Sequence, residues 1–424
     1  MNGQGLRVPT LYLSRTGMLE PLGQSQVLSY LRGLSDAYAV TLISFERDID
    51  LADRAELARV AGICADHGIR WIRLPYRRRP RILAAAWNLI ALVWQTWRAV
   101  RRDKAALIHT RSYIPAAAGW AVSRLTGVPY IFDMRSLWPE ELITSHRLRR
   151  GSLMHRAIFR AERRLIADAG VVVSLTHAGA RYVNKVHPGA LSDDRLRVIP
   201  TCTDLAQFRP DPATRGDGPS SPLIGCHGSI MNGWFQVGLL AKMFDRLAVL
   251  LPKARFEIIT REDPEAVRDA LNAALGEAPD WHTRLTISAA KASEIHKRLQ
   301  HQNLSIFFYA TGAASELGRS PTRMGESLGC GVPVLANEGI GDVAQTIREG
   351  GVGHVLDGED NAALARAADA VMGLLKDPDI SERCRRVAEN VYSLKFGVES
   401  YHEIYEYLAP ADDDRLEAKS EEME

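Results

Sequence analysis

The sequence has few cysteines and no cysteine motif. Its 424 residues include five cysteines, which are scattered without a CxxC pair or a His/Cys cluster. An odd, dispersed set is typical of reduced structural thiols, which favours a cytoplasmic protein over a secreted one. The residues from Met1 to Arg7 are polar and lead directly into a strand-like run, so we expect no signal peptide.

A clean membrane-spanning run is also absent. Ile82–Val100 has about the length of a span, but it contains Asn88, Gln95, Thr96 and Arg98. The spacing instead predicts an amphipathic helix. Its apolar face would be formed by Leu83, Trp87, Ile90, Trp94 and Trp97.

Arginines lie on both sides of this helix, before it at Arg77–Arg79 and at its end from Arg98 to Arg102. Two interpretations remain open. The helix, taken as Ile82–Arg102, could dock on an anionic membrane, which would make the protein peripheral on the inner face of the cell membrane. Alternatively, the tryptophan face packs on a sheet and the charges are solvated. No nucleic-acid-binding module is visible, so we expect no nucleic-acid partner.

The composition, 46% hydrophobic and 25% charged with a formal charge of +2, is that of an ordinary globular protein. The length favours two domains. Short apolar runs alternate with helical patterns in both halves, which predicts two α/β domains with parallel sheets, each a doubly wound Rossmann-like unit. We expect the following divisions: an N-terminal domain over 1–208, a linker over 209–222, a C-terminal domain over 223–395, a helix over 396–408 packing back on the N-terminal domain, and a disordered acidic tail over 409–424.

The most informative segment runs from Ser320 to Ala336, SPTRMGESLGCGVPVLA. Ser320 is predicted as the N-cap of a short helix with Pro321 in its first turn, and such a helix start can hold phosphate oxygens. Arg323 adds a cation suited to a diphosphate. Glu326 lies one turn further on the same face, where a carboxylate can accept the hydroxyls of a ribose.

This segment resembles the donor motif of the family 4 (group 1) retaining glycosyltransferases, which have the GT-B fold with two Rossmann-like domains facing a central cleft. Further likenesses extend to about Leu408. They lie at Tyr12–Gln26, Leu42–Glu46, His109–Pro115, Phe132–Glu140, Ile199–Phe208, Gly228-Ser229 and Gly339–Asp342.

The resemblance implies a role for each matching residue. The donor-binding set would be Glu326, Ser320, Pro321, Thr322, Arg323, Gly325, Gly228, Ser229 and Arg261. The glycine loop and acceptor side would comprise Gly17, Gly23, Gln24, His109 and Arg111. The catalytic residues would be Asp133, Arg135 and Arg323. Two departures are visible: Gly318 stands where many members have a second glutamate, with Glu316 out of register, and Lys242 or Arg261 would have to replace the usual basic pair.

The expected reaction moves a sugar, with retained configuration, from a UDP- or GDP-linked donor to a lipid-linked or saccharide acceptor in cell-surface polysaccharide or glycolipid synthesis. We expect no metal or other cofactor, because Arg323 and backbone dipoles can stabilise the leaving diphosphate. Two alternatives remain: a nucleotide-sugar epimerase of the same architecture, and a non-catalytic, membrane-associated partner subunit.

Overall fold

The computed structural model describes residues 7–211, 213–214, 220–276 and 279–410, with the side chains of residues 81 and 82 left out. The chain divides into two compact units. The first comprises Met1–Ile199 with Gly397–Glu424, and the second comprises Pro200–Phe396. Each unit is built on one parallel sheet.

The first unit contains a seven-stranded sheet in the order β3-β2-β1-β4-β5-β6-β7. Its strands are β1 (Val8–Ser14), β2 (Tyr38–Glu46), β3 (Arg70–Pro75), β4 (Leu107–Arg111), β5 (Tyr130–Asp133), β6 (Val171–Ser174) and β7 (Leu196–Val198). The helices are α1 (Pro21–Gly23), α2 (Ser29–Leu34), α3 (Asp48–Leu51), α4 (Arg54–Asp66), α5 (Arg81–Asp103), α6 (Tyr113–Thr126), α7 (Trp138–Thr144), α8 (Leu153–Asp168) and α9 (His177–Val186), with a π-helical turn at Gln24–Leu28 and a 3-10 turn at Asp193–Arg195.

The second unit contains a six-stranded sheet in the order β10-β9-β8-β11-β12-β13. Its strands are β8 (Leu223–His227), β9 (Arg255–Ile259), β10 (Leu285–Ser288), β11 (Leu304–Phe307), β12 (Val334–Asn337) and β13 (Gly353–Leu356). The helices are α10 (Val237–Leu250), α11 (Pro264–Leu275), α12 (Ile295–Leu299), α13 (Thr322–Gly329), α14 (Val343–Gly350), α15 (Asn361–Lys376) and α16 (Ile380–Val387), with 3-10 turns at Asp280–Arg284 and Ala314–Gly318 and a π-helical turn at Ala388–Tyr392. The chain then forms α17 (Leu394–Leu408).

The central strands of both sheets are apolar runs in the sequence because they are buried on both faces. β4, β5, β6, β11 and β12 are buried throughout. The order of each sheet reverses beside its first strand, β1 or β8. In open parallel sheets the loops at the carboxyl ends of strands beside such a reversal are where ligands bind. The predicted α/β fold class, two doubly wound units with parallel sheets, is confirmed.

The boundary between the units lies earlier than the predicted position at residue 208. Thr203 exchanges backbone hydrogen bonds with Tyr392 and Leu394 (2.7 and 2.9 Å). The side chains of Leu205 and Phe208 are buried in apolar clusters of the second unit. Residues 200–208 therefore belong to the second unit, because their hydrogen bonds and apolar contacts are made there.

The described part of the predicted linker, 209–222, also belongs to the second unit. The Gln300 side-chain amide donates to the Arg209 carbonyl (2.8 Å), and the Thr214 hydroxyl donates to the Gln300 carbonyl (3.2 Å). At the other end, Ala409 was expected in the disordered tail but is buried, and its amide continues α17 by donating to the Tyr405 carbonyl (2.8 Å). Residues 411–424 lie outside the described residues.

Candidate functional site

In the second unit, Glu326 and Arg323 lie on α13 close to the end of β8. Glu326 Oε2 lies 3.0 Å from Nε2 of His227, the last residue of β8. Glu326 Oε1 has no hydrogen bond to any described residue, and His227 Nδ1 is buried without a partner among them. The sequence analysis missed His227, although its position directly before Gly228 is a usable signal. One carboxylate oxygen thus remains available for a ligand.

Arg323 is only 8% exposed. One Nη donates to the Ser229 carbonyl, and the guanidinium lies over the rings of Phe235 and Tyr309, at 5.1 and 5.6 Å from their centroids. Its Nη1 has no hydrogen-bond partner in the described chain. A buried guanidinium donor without an acceptor is costly, so this atom is suited to an anionic ligand.

The loop after β8 turns at Gly228, whose φ of +92° suits glycine. A Cβ there would lie 2.8 Å from the Arg323 guanidinium, so the loop and the arginine pack closely. The adjoining Ser229 hydroxyl donates to Glu262 (2.5 Å). The structure thus brings Gly228, Ser229 and Arg323 together, as the resemblance implied.

Glu262 joins this loop to the turn after β9, and the predicted donor-binding residue Arg261 lies beside it. Glu262 accepts hydrogen bonds from the Ile230 and Met231 amides (both 3.0 Å) as well as from Ser229, whereas Arg261 is exposed. Burial acts to raise the pKa of Glu262, but these hydrogen bonds outweigh it and lower the pKa below its ordinary value. The ionised Glu262 carboxylate therefore holds the loop in place through these hydrogen bonds.

Four predicted donor-binding residues, at the start of α13 and in its first turns, have roles inside the second unit. The N-cap of α13 is Pro321, in an extended conformation, and Thr322 is the first helical residue. The Ser320 hydroxyl instead accepts from the Thr201 amide (3.0 Å). At Gly325 a Cβ would lie 2.6 Å from Thr203 Oγ1 and 3.0 Å from Tyr392 Cβ. Gly325 is thus required by packing inside the unit.

Gly318, which stands where many members have a glutamate, and the out-of-register Glu316 lie on one 3-10 turn, Ala314–Gly318, and both are buried. Glu316 is 1% exposed and pairs with Arg319 (2.8 Å), whose guanidinium lies 4.1 Å from the centroid of the Trp234 ring. Lys242, the other basic candidate, is exposed on α10. The Glu316 carboxylate therefore has a structural partner within its own turn.

In the first unit, the glycine loop after β1 is closed by close contacts. A Cβ on Gly23 would lie 2.0 Å from the Gly17 carbonyl oxygen, and one on Gly17 would lie 2.5 Å from Glu46 Oε2. Glu46, at the end of β2, accepts from the amides of Met18 (2.9 Å) and Leu19 (3.4 Å). Both glycines are therefore needed for the crossing of the loop over itself and over Glu46.

Gln24, the predicted residue of the glycine loop, contacts α4, whereas Gln26 contacts Arg135. The Gln24 amide donates to Glu56 (2.7 Å) and accepts from Arg59 (2.5 Å), both on α4. Gln26 is buried and accepts from Arg135 (2.8 Å). The π-helical turn that spans both residues places the second glutamine, which the sequence analysis missed, beside the predicted site arginine.

Asp133 and His109 lie in the interior of the first unit, each 1% exposed. Asp133 Oδ2 accepts from the Tyr401 hydroxyl (3.1 Å), and His109 Nδ1 shares a hydrogen bond with the Tyr405 hydroxyl (2.9 Å). Both tyrosines come from α17. Burial lowers the pKa of His109; for Asp133, Arg135 and His109 outweigh the effect of burial and lower the pKa. Asp133 Oδ1 and His109 Nε2 have no hydrogen-bond partner among the described residues, and the catalytic role of Asp133 and the acceptor-side role of His109 stay predictions.

Arg111 and Arg135 lie at the carboxyl ends of β4 and β5 and line a cavity of about 740 Å³. We call it the arginine cavity. The complete lining is Arg15, Thr16, Glu20, Leu22, Phe45, Arg47, Tyr76, Arg77, Arg78, Ala85, Asn88, Arg111, Ser112 and Arg135. It contains six arginines and a single acidic residue, so it is suited to an anion.

The amphipathic helix α5 turns its tryptophan face outwards. Leu83, Trp87, Ile90 and Trp94 are 51–68% exposed, and the polar residue Asn88 is 6% exposed. The Asn88 side-chain amide donates to the Arg77 carbonyl (2.9 Å), and Asn88 Oδ1 accepts from the Arg77 backbone amide (3.3 Å). The alternative in which this face packs on the sheet is therefore wrong for these residues. No helix among the described residues is long and apolar enough to cross a membrane.

The described residues contain no group of three or more His, Cys, Asp or Glu side chains that could hold a metal ion. The expectation that the reaction needs no metal stays a prediction. Within that part of the chain, Arg323 is the buried cation that contacts the loop after β8.

Comparison with known proteins identifies the chemistry. The model of Glycosyltransferase Family 4 matches residues 23–207. The chain is a glycosyltransferase, and its residues 23–207 resemble a family 4 domain. It is 24% identical to the D-inositol 3-phosphate glycosyltransferase of Arthrobacter sp. (strain FB24) over 393 residues, which are 88% of this chain and 89% of the relative.

Solved structures support the GT-B fold of this glycosyltransferase. A glycosyltransferase from Rickettsia africae ESF-5 matches with a TM-score of 0.69 and 14% identity, covering 95% of this chain and 99% of that one. Anabaena Alr3699/HepE in complex with UDP matches with a TM-score of 0.66 and 14% identity, covering 94% and 100%. The predicted fold, resemblance and enzyme class are confirmed.

Proposed function

We propose that the enzyme transfers a sugar from a UDP-linked donor, with retained configuration, to a saccharide or lipid-linked acceptor of cell-surface glycan synthesis. We infer the donor site from the grouping of Glu326, His227 and Arg323 at the end of β8. In this group one carboxylate oxygen of Glu326 and the Nη1 donor of Arg323 have no hydrogen-bond partner among the described residues. A nucleotide donor is supported by the Anabaena neighbour, whose structure contains UDP.

In this proposal each residue acts on the donor without a metal ion. Glu326 accepts the ribose hydroxyls, and Arg323 with the first amides of α13 holds the diphosphate. As the bond between the anomeric carbon and the phosphate oxygen breaks, negative charge grows on the diphosphate. Arg323 stabilises that charge while the acceptor hydroxyl forms the new bond. Transfer that persists in excess EDTA is the expected result, and its loss would indicate a metal requirement.

Nucleotide binding tests the donor site directly. A nucleotide at 100 times its dissociation constant should stabilise the wild type by roughly 2.7 kcal/mol, measured as a thermal shift. We expect UDP to give the largest shift, with GDP, ADP and CMP as comparisons. The shift should vanish in Glu326→Ala and persist in the control Glu349→Ala, an exposed glutamate of α14. Equal shifts in both variants would remove Glu326 from the site.

We also propose that α5 docks the enzyme on an anionic membrane. Its exposed tryptophan face is flanked by Arg77, which lies 4.7 Å from the Trp87 ring centroid, and by Arg101, 5.3 Å from that of Trp97. Apolar burial together with about 1 kcal/mol for each basic group near an anionic surface favours peripheral binding.

Vesicle co-sedimentation tests this docking. Binding to phosphatidylglycerol vesicles should fall in Trp87→Glu/Trp94→Glu and at high salt. It should remain in Val249→Glu, which alters an equally exposed apolar residue of α10. Binding that resists both salt and the tryptophan changes would contradict the proposal.

A further inference from the structure

We infer that the arginine cavity of the first unit binds a phosphate or diphosphate group carried by the acceptor. This inference rests on the proposed function, since it assigns the first unit to the acceptor. It adds the chemical class of that acceptor, and names Arg15, Arg77, Arg78 and Arg111 as the residues that recognise it.

The charge of the cavity is largely unbalanced. Arg47 pairs with Asp50 (2.5 Å) and lies 3.7 Å from Glu20, and Arg135 lies 3.8 Å from Asp133. The other four arginines form no ion pair within 4 Å in the described part of the chain. Four uncompensated positive charges around one cavity favour a ligand with more than one negative charge.

Two of the arginines are fixed by the protein and still have unused donors. Arg111 is 7% exposed, and its Nε has no hydrogen-bond partner among the described residues. Arg135 Nε is likewise buried without one. A buried charged donor without an acceptor is strongly unfavourable. A ligand oxygen near Arg111 Nε and Arg135 Nε would accept the hydrogen bonds that no described residue accepts.

The aromatic side chain of Tyr76 contacts two arginines of the cavity. Arg15 donates to the Tyr76 hydroxyl (2.8 Å), and the Arg78 guanidinium lies 6.0 Å from the Tyr76 ring centroid. Arg77 and Arg78 are exposed, so they can meet a ligand that arrives from solvent. Planar guanidinium groups pair with phosphate oxygens in a bidentate manner, and a phosphomonoester carries close to two charges, which a carboxylate does not.

The lining residues Ala85 and Asn88 belong to α5, the helix with the exposed tryptophans. The same chemistry could therefore come from a lipid headgroup or from a soluble sugar phosphate. In either case the phosphate lies among Arg15, Arg77, Arg78 and Arg111.

Calorimetric titration with inorganic pyrophosphate tests the site, with UDP present to occupy the donor site. Wild type should bind pyrophosphate, and Arg77→Gln/Arg78→Gln should bind it at least about tenfold more weakly, because two charge-assisted contacts are lost. Arg79→Gln is the matched control, since Arg79 is exposed beside the other two and does not line the cavity. Equal affinity in all three proteins, or equal losses in both variants, would overturn the inference.

Two further arms identify the source of the phosphate. Glucose 1-phosphate that competes with pyrophosphate, where glucose does not, indicates a soluble acceptor. Phosphatidylcholine vesicles that compete only when they contain phosphatidate indicate a lipid acceptor. UDP stabilisation that depends on Glu326, without any pyrophosphate binding, would overturn this inference and leave the proposed donor site intact. Pyrophosphate binding without UDP binding would overturn the proposed donor site and leave the phosphate site in the arginine cavity intact.

Discussion

The two units close the loop after their first strand in the same way, but with glutamates whose pKa values are shifted in opposite directions. In the first unit, Glu46 from the end of β2 accepts from the Met18 and Leu19 amides. In the second, Glu262 beyond β9 accepts from the Ile230 and Met231 amides. Burial raises the pKa of Glu46 despite its hydrogen bonds, while hydrogen bonds outweigh burial and lower that of Glu262.

The difference teaches that solvent access, and not topology, sets the direction in which the pKa of the loop-binding glutamate is shifted. Glu46 is fully enclosed, so desolvation dominates its titration. Glu262 lies nearer the surface, where six donor contacts can be offered to an ionised carboxylate at lower cost. The first loop is thus part of a core, and the second is a surface loop held by a charge.

The largest expected effect separates the glycines of the two loops. Gly23→Ala places a methyl group 2.0 Å from the Gly17 carbonyl, which is backbone and cannot move away, so we expect a loss of about 3 kcal/mol or more by urea denaturation. Gly228→Ala meets the end of the flexible Arg323 side chain but must adopt a strained φ near +92°, so it should also lose stability, by less than Gly23→Ala, and should weaken nucleotide binding. Gly62→Ala, with no atom within 4 Å, is the control and should stabilise α4 by about 0.5–1 kcal/mol. A similar loss in all three would contradict this contrast.

A smaller effect separates the two glutamates. Glu46→Ala leaves the buried Met18 and Leu19 amides without an acceptor and should cost about 2–3 kcal/mol. Glu262→Ala should cost about 1 kcal/mol, because water can reach the freed amides of its loop. Chemical denaturation of both variants measures the difference. Equal costs would show that Glu46 is no more important to its unit than Glu262.

The smallest effect is a difference in pH dependence, measured on Glu46→Gln and Glu262→Gln. Glu46 has a raised pKa, so its titration favours the fold below its unfolded pKa, and that contribution is lost as pH rises through the folded value. Glu262 has a lowered pKa, so its contribution is present above the unfolded pKa and is lost as pH falls through the folded value. The stability gap between wild type and variant should therefore shrink with rising pH for Glu46 and with falling pH for Glu262. Gaps that change in the same direction would refute the comparison.

The parallel sheets could be predicted because buried parallel strands are apolar runs. Helix α6 gives a weaker signal, because Tyr113–Thr126 is apolar on almost every side and shows no clear period. The amphipathic helix α5 was predicted correctly from its hydrophobic period. That period does not show which of the two helix faces packs against the core. Only the buried hydrogen bonds of Asn88 decide that.

The donor residues were found through a local motif, whereas their partners are distant in the chain. His227 and Glu326 are 99 positions apart, and Asp133 and Tyr401 are 268 apart. Such pairs follow from sheet order and from the return of α17, which no local pattern encodes. Glu46 and Glu262 share one weak signal, an acidic residue at or just beyond the end of the second strand of each unit.

The return of α17 to the first unit has a consequence for biosynthesis. Tyr401 and Tyr405 supply hydroxyl groups to Asp133 and His109, so the unit that is translated first lacks part of its interior until about 200 further residues have been made. At ribosomal rates of about 5–20 residues per second, this delay is on the order of ten to forty seconds. The second unit is continuous in sequence and needs no such return. We therefore expect the unit that is made second to be the first to reach its native state.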